Sequence, residues 1–133
     1  MIVLDTHALV WAIGNERKLG RRPRALIDRM WTRGAVAVSA LTFWEVATLQ
    51  DKQRLERPLS ASEWRAQRLA DGPIEIPVDG WIGIRAVDLH GLPDDPADRT
   101  IVATALHQRA TLVTTDEQLL AWEHTLERHD ARL

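Results

Sequence analysis

Three short apolar runs, IVL at 2–4, AVAVS at 35–39 and TLV at 111–113, alternate along this chain with longer stretches of helical periodicity. A run of consecutive apolar residues, without polar alternation, reads as a strand buried on both faces. Such strands, separated by helices, build a parallel sheet covered by helices. The predicted class is therefore α/β with a parallel central sheet.

The other segments agree with that class. Apolar spacing predicts a helix over 7–13, with His7 and Trp11 one turn apart. A second helix is predicted over 24–33, opened by Pro23 and ended by Gly34. A third covers 42–53, where Phe43, Val46, Ala47 and Leu49 share a face. Ser60 and Glu63 form a capping box for a helix reaching about residue 70. The segment DGPIEIPVDG at 71–80 holds a short strand, IEI, between turn residues. A helix over 80–88, a loop GLPDDP at 91–96 and a buried helix from Asp95 follow. A strand within 110–116, a helical turn from Glu117 to Trp122 and an edge strand in TLER at 125–128 complete the pattern.

The totals exclude several classes. At 133 residues, 45% hydrophobic and 27% charged, the chain suits one folded domain rather than a disordered segment. It has no cysteine, which removes disulfides and thiolate metal sites from consideration. The N-terminus has no basic region before its apolar run, unlike a signal peptide. No apolar run approaches the roughly 20 residues that span a bilayer. A soluble, cytoplasmic protein without a membrane partner is expected.

Net charge is −2, but it is unevenly distributed. Residues 1–68 carry 12 basic and 7 acidic side chains, and residues 69–133 carry 5 and 12. Arg17, Lys18, Arg21, Arg22, Arg24, Arg29 and Arg33 form a basic cluster that can follow an RNA backbone or simply be a solvated helix face. Arg17, Arg21 and Arg22 are the candidate RNA contacts.

Ligands of parallel α/β sheets bind outside the carboxyl ends of the strands. An acid follows each apolar run: Asp5 after IVL, Glu45 six residues beyond VAVS, and Asp116 after TLVTT; Asp98 opens the buried helix. Each also has a local reading. Asp5 and Asp116 can cap helices, Thr42 and Glu45 fit a capping box, and Asp95, Pro96 and Asp98 fit a helix start. Taken together, four carboxylates on one sheet edge repel by about 4 kcal/mol per pair at 4 Å and an effective dielectric near 20. Protonation, separation or a cation must relieve that. Oxygen ligands without cysteine suit Mg²⁺ or Mn²⁺, and such an ion activates water against a phosphodiester.

The segments MIVLDTHALVWA, SALTFWEVA, DPADRTIVATA and LVTTD resemble the four signature segments of PIN-domain ribonucleases, most of all the VapC-type toxins of bacterial type II toxin–antitoxin pairs. The match runs from residue 2 to about 120. The resemblance implies a single PIN domain over residues 1–133, folded as a three-layer α/β/α sandwich with a mainly parallel sheet. It also implies an endoribonuclease that uses Mg²⁺ or Mn²⁺. Asp5, Glu45, Asp98 and Asp116 become the catalytic quartet. Asp5 and Asp98 would hold the metal directly, Asp116 would ligate a first or second ion, and Glu45 would ligate it or orient the attacking water. Thr6 and Thr115, beside two of the acids, are candidate donors that hold the carboxylates. Asp95 stays open between helix cap and ligand, and Arg99 is expected to pair with the neighbouring acids. A homodimer and a small antitoxin that covers the acidic groove are the implied partners.

Two other phosphoryl-handling α/β classes fit less well. A phosphorylated receiver needs a late lysine, and none follows Lys52; an aspartyl phosphatase needs an acid two residues after the first, where this chain has His7. The remaining alternative is a catalytically silent PIN-like module that binds RNA or protein.

Overall fold

The computed structural model describes residues 1–53 and 59–133. Five strands among them form one sheet: β1 (Ile2–Leu4), β2 (Val36–Ser39), β3 (Ile74–Ile76), β4 (Thr111–Thr114) and β5 (Arg128–Asp130). Their order is β3-β2-β1-β4-β5, and every neighbouring pair is parallel. The helices are α1 (Thr6–Ile13), α2 (Arg21–Thr32), α3 (Ala40–Gln53), α4 (Ala61–Ala70), α5 (Gly80–Asp88), α6 (Pro96–His107) and α7 (Glu117–Ala121).

The central strands are apolar because both faces are covered. Ile2, Leu4, Val36, Val38 and Val113 point into one core with Leu9, Ile27, Phe43, Val46 and Trp64 from α1 to α4. Val3, Ala37 and Leu112 point into the other with Ile82, Ala86, Ile101, Val102 and Leu119 from α5 to α7. Alternation along each strand thus feeds two helical layers, and the α/β/α sandwich is the observed fold.

Strand order creates the crevice that matters. The chain leaves β1 through α1 and α2 to β2 on one side, whereas β4 pairs with β1 on the other side. Crossovers diverge between β1 and β4, which is where open α/β sheets bind ligands. Leu4 pairs with Val113, so Asp5 and Thr114 leave the sheet at the same level.

Several boundaries differ from expectation. Helix α2 begins at Arg21, two residues before Pro23. Proline is tolerated there because first-turn N–H groups lack intrahelical acceptors. Gly34 follows that helix with φ 66°, as a terminating glycine should. Helix α3 begins at Ala40, with Ser39 Oγ accepting the Leu41 N–H, so Thr42 lies inside the helix and the Thr42–Glu45 capping box is not formed. The last strand is Arg128–Asp130 rather than 125–128. Leu126 is drawn into the core instead, and Arg128 ties its turn by donating to the carbonyls of Leu119, Trp122, His124 and Leu126.

Candidate active site

Asp5 emerges from β1 as the N-cap of α1 and is 7% exposed. Its Oδ1 accepts the Ala8 N–H at 2.8 Å. Its Oδ2 accepts the Thr114 hydroxyl at 2.6 Å and the Thr115 N–H at 3.0 Å. Burial raises its pKa, although all three hydrogen bonds oppose that shift. Both oxygens therefore have partners, and any cation must use the lone pairs that remain.

Glu45 comes from the second turn of α3 and is half-buried. The Thr6 hydroxyl donates to its Oε1 at 2.6 Å, and Thr6 Oγ1 also lies 3.2 Å from the buried Thr42 hydroxyl. Burial is the main cause raising the Glu45 pKa; the Thr6 bond opposes it, and the charges of Asp95 and Asp5 add to it.

Asp95 and Asp116 are helix caps. Asp95 Oδ1 accepts the N–H groups of Ala97 and Asp98, and Asp116 Oδ1 accepts those of Gln118 and Leu119. Between them stands Asp98, in the first turn of α6. Its pKa is pushed up to about 7, first by burial, then by the charges of Asp95, Asp116 and Glu45, and by a hydrogen bond shared with Asp116. The four predicted acids thus gather at the β1/β4 crevice, and Asp95 joins them as a fifth while still capping its helix.

Some expectations are corrected. Thr115 reaches Asp5 through its backbone, and the hydroxyl that grips Asp5 belongs to Thr114. Thr6 does donate to one of the carboxylates, that of Glu45. Arg99 forms no ion pair with the acids. Its guanidinium donates instead to carbonyls of Ala86, Val87, Leu89, Leu92 and Pro93, fastening the α5–α6 connection. Thr114 and Thr42 were missed because their neighbours come from strand register and helix crossing, which spacing within one segment does not reveal.

The basic candidates stand apart from the acids. Arg17, Arg21 and Arg22 are exposed, and Arg24 is held by Asn15 and the Glu16 carbonyl. Gly20 donates to the Ala131 carbonyl just beyond β5, so α2 starts at the carboxyl edge of the sheet, on its β5 side.

The donor set fits a hard divalent cation. It is made of carboxylates, and among the described residues none of the five acids forms an ion pair with Arg, Lys or His. As placed, no three acidic or histidine groups among the described residues surround a common point closely enough to hold an ion. Burial and the neighbouring carboxylates together push the Asp98 pKa up to about 7, which is the electrostatic cost of that crowding.

Fold and site together define the class, and sequence comparison agrees. The PIN domain profile matches residues 2–123, and the chain belongs to the PIN domain family. Ribonuclease VapC22 of Mycobacterium tuberculosis (strain ATCC 25618 / H37Rv) is 29% identical over 124 residues, spanning 92% of each chain. The fold is shared with VapBC2 from Rickettsia felis, bound to a promoter DNA fragment, at TM-score 0.69 and 18% identity over 98% of this chain and 100% of that one. FitAcB from Neisseria gonorrhoeae superposes at TM-score 0.65 and 21% identity over 98% of both chains. A toxin–antitoxin complex from Klebsiella pneumoniae gives TM-score 0.61 and 22% identity over 91% of both. No helix among the described residues is long and apolar enough to cross a membrane.

Proposed function

We propose that this chain is a Mg²⁺- or Mn²⁺-dependent endoribonuclease, acting in the cytoplasm as the toxin of a toxin–antitoxin pair. The observation that carries the reading is the convergence of Asp5, Glu45, Asp95, Asp98 and Asp116 at the crevice, where none of them forms an ion pair among the described residues and only His7, beside Asp5 and Glu45, opposes their charge. Kinship with a VapC ribonuclease supports the same reaction.

Asp5, Asp98 and Asp116 would hold the cation. When bound, it supplies positive charge to the scissile phosphate and makes water more acidic. Thr114 and the Thr115 N–H fix Asp5 so that its carboxylate does not rotate. Thr6 occupies Glu45 Oε1, leaving Oε2 to orient the attacking water and take its proton. A carboxylate whose pKa is raised by burial is a better proton acceptor than an exposed one. Arg17, Arg21 and Arg22 would contact the RNA backbone along the β5 side of the edge.

The remaining assignments are of the same kind. Residues 1–133 form one PIN domain, its acidic crevice suits a basic side chain from a small antitoxin, and the fold's likeness to toxin–antitoxin complexes supports that partner. A homodimer is supported by Trp81, Ile84 and Val87, which leave one face of α5 apolar and 66–78% exposed.

The test is incubation of the protein with an RNA pool in Mg²⁺, Mn²⁺ or EDTA. Endonucleolytic cuts in metal, absent in EDTA and abolished by Asp98→Asn, are expected. Equal cutting by that variant, or none by wild type with either metal, overturns the reading.

A further inference from the structure

Beside the acidic crevice lies a cavity of about 330 Å³ lined by Leu41, Trp44, Asp95, Pro96, Ala97 and Thr100. Trp44 directly precedes Glu45 on α3 and is 60% exposed, so an indole stands in solvent next to the reaction centre. Asp95 belongs to both places. It lines the cavity and its charge acts on Asp98 and Glu45. Whatever fills the cavity is therefore within a nucleotide's reach of the acids.

The wall chemistry is selective. Asp95 Oδ1 holds two backbone N–H groups, and no hydrogen bond to Oδ2 is found among the described residues. The Thr100 hydroxyl is buried and donates its proton to the Pro96 carbonyl at 2.6 Å, so it brings no free donor to the cavity. Pro96 has no N–H, and the Ala97 N–H is taken by Asp95. The lining is mostly apolar, with the indole N–H of Trp44 as its donor and the free Asp95 oxygen as its acceptor.

We propose that this cavity is a nucleobase subsite, in which an unpaired base carrying an exocyclic amino group (adenine, cytosine or guanine) stacks on Trp44. This rests on the ribonuclease reading and deepens it. The adjoining carboxylates disfavour a phosphate in the cavity and tolerate an uncharged base. The free Asp95 oxygen matches an amino group, whereas uracil presents two carbonyls and a single N–H. Stacking on an exposed aromatic ring is the usual way proteins hold single-stranded bases. The larger apolar face on α5 is the better place for a second copy of the chain.

The experiment measures binding of the hexanucleotides A6, C6 and U6 in EDTA, where no cleavage occurs, to wild type, Trp44→Phe and Trp44→Ala. Wild type is expected to bind A6 and C6 more tightly than U6. Trp44→Ala should lose about tenfold or more on A6 and C6, and Trp44→Phe should keep part of it. In metal, Trp44→Ala should raise KM on an adenine-rich RNA while kcat changes little. Wild type binding U6 as tightly as A6, or binding none of the three, overturns the proposal. So does Trp44→Ala matching wild type on all three, or turning a dimer into a monomer in light scattering with base preference unchanged. Failure of wild type to cut RNA with either metal sinks the ribonuclease reading separately, because binding is read without metal.

Discussion

The carboxyl edge of the sheet holds two acidic regions with opposite electrostatics. At the β5 corner, Arg132 bonds both oxygens of Asp130 and pairs with Glu117. Its guanidinium holds the Asp130 carboxyl below its usual range. At the β1/β4 crevice, Asp98 meets only burial and other acids, and its pKa rises to about 7. The same residue type is paired with a guanidinium in one place and left among like charges in the other. A carboxyl raised by burial and by other acids in a crevice is a candidate for a functional site, whereas one held by an arginine reads as structural.

The largest expected effect comes from Asp98→Asn, which removes the most perturbed acid. RNA cleavage should fall at least about 100-fold, measured at saturating Mn²⁺. Metal-free thermal stability should equal or exceed that of wild type, because a like-charge contact is removed. A marked loss of stability would show that Asp98 is structural, as the β5 acids are.

Thr114→Val tests how the crevice holds its charge. The buried hydroxyl donates to Asp5 and accepts the Asp116 N–H at 3.0 Å, so both partners lose a bond. A stability loss of about 1–3 kcal/mol in urea denaturation is expected, with weaker metal binding. Thr115→Val should change little, since that residue acts through its backbone.

Stability against pH separates the two regions by sign. In the metal-free protein, Asp98 has a folded pKa of about 7, against an ordinary value near 4 when unfolded. The folded state binds more protons between those values, so this group's contribution to stability falls as pH rises from about 4 to 7. Asp5 and Glu45, also raised, act in the same direction. Asp130 acts oppositely: its contribution is present above the ordinary carboxyl pKa and is lost as pH falls through its lowered value. Thermal melts without metal should therefore decline from pH 5 to 8, and Mg²⁺ should restore stability at pH 8. Melts that rise over that range in EDTA would contradict the raised carboxyls.

The smallest effect belongs to Arg132→Ala. Its ion pairs are surface-exposed, and removing it should leave the melting temperature hardly changed and the RNA cut at the same rate. A large loss of cleavage would mean that the β5 corner takes part in binding RNA.

Much of this was legible from the chain alone. The apolar runs at 2–4, 36–39 and 111–114 appeared as strands because burial on both faces leaves an unmistakable composition. The capping box at Ser60 and Glu63 and the helix start at Asp95 were equally clear, since a cap involves residues three or four apart. Misplacements occurred where distant segments decide. Arg99 was expected to pair with its neighbours, but five carbonyls of the α5–α6 connection surround it. The last strand could not be read from RHD, whose polar residues form a strand only because β4 offers an unpaired edge.

Asp5 shows the division most clearly. The sequence by itself determined that an acid ends the first strand and caps the helix after it, since both depend on adjacent residues. Only the tertiary structure decided that Thr114, 109 residues away, would grip that acid, and that Asp98 would stand among Asp95, Asp116 and Glu45. Strand order and register bring those groups together, and they follow from packing two cores against one sheet. The charge on each carboxyl depends on which others lie nearby, and therefore on the whole fold.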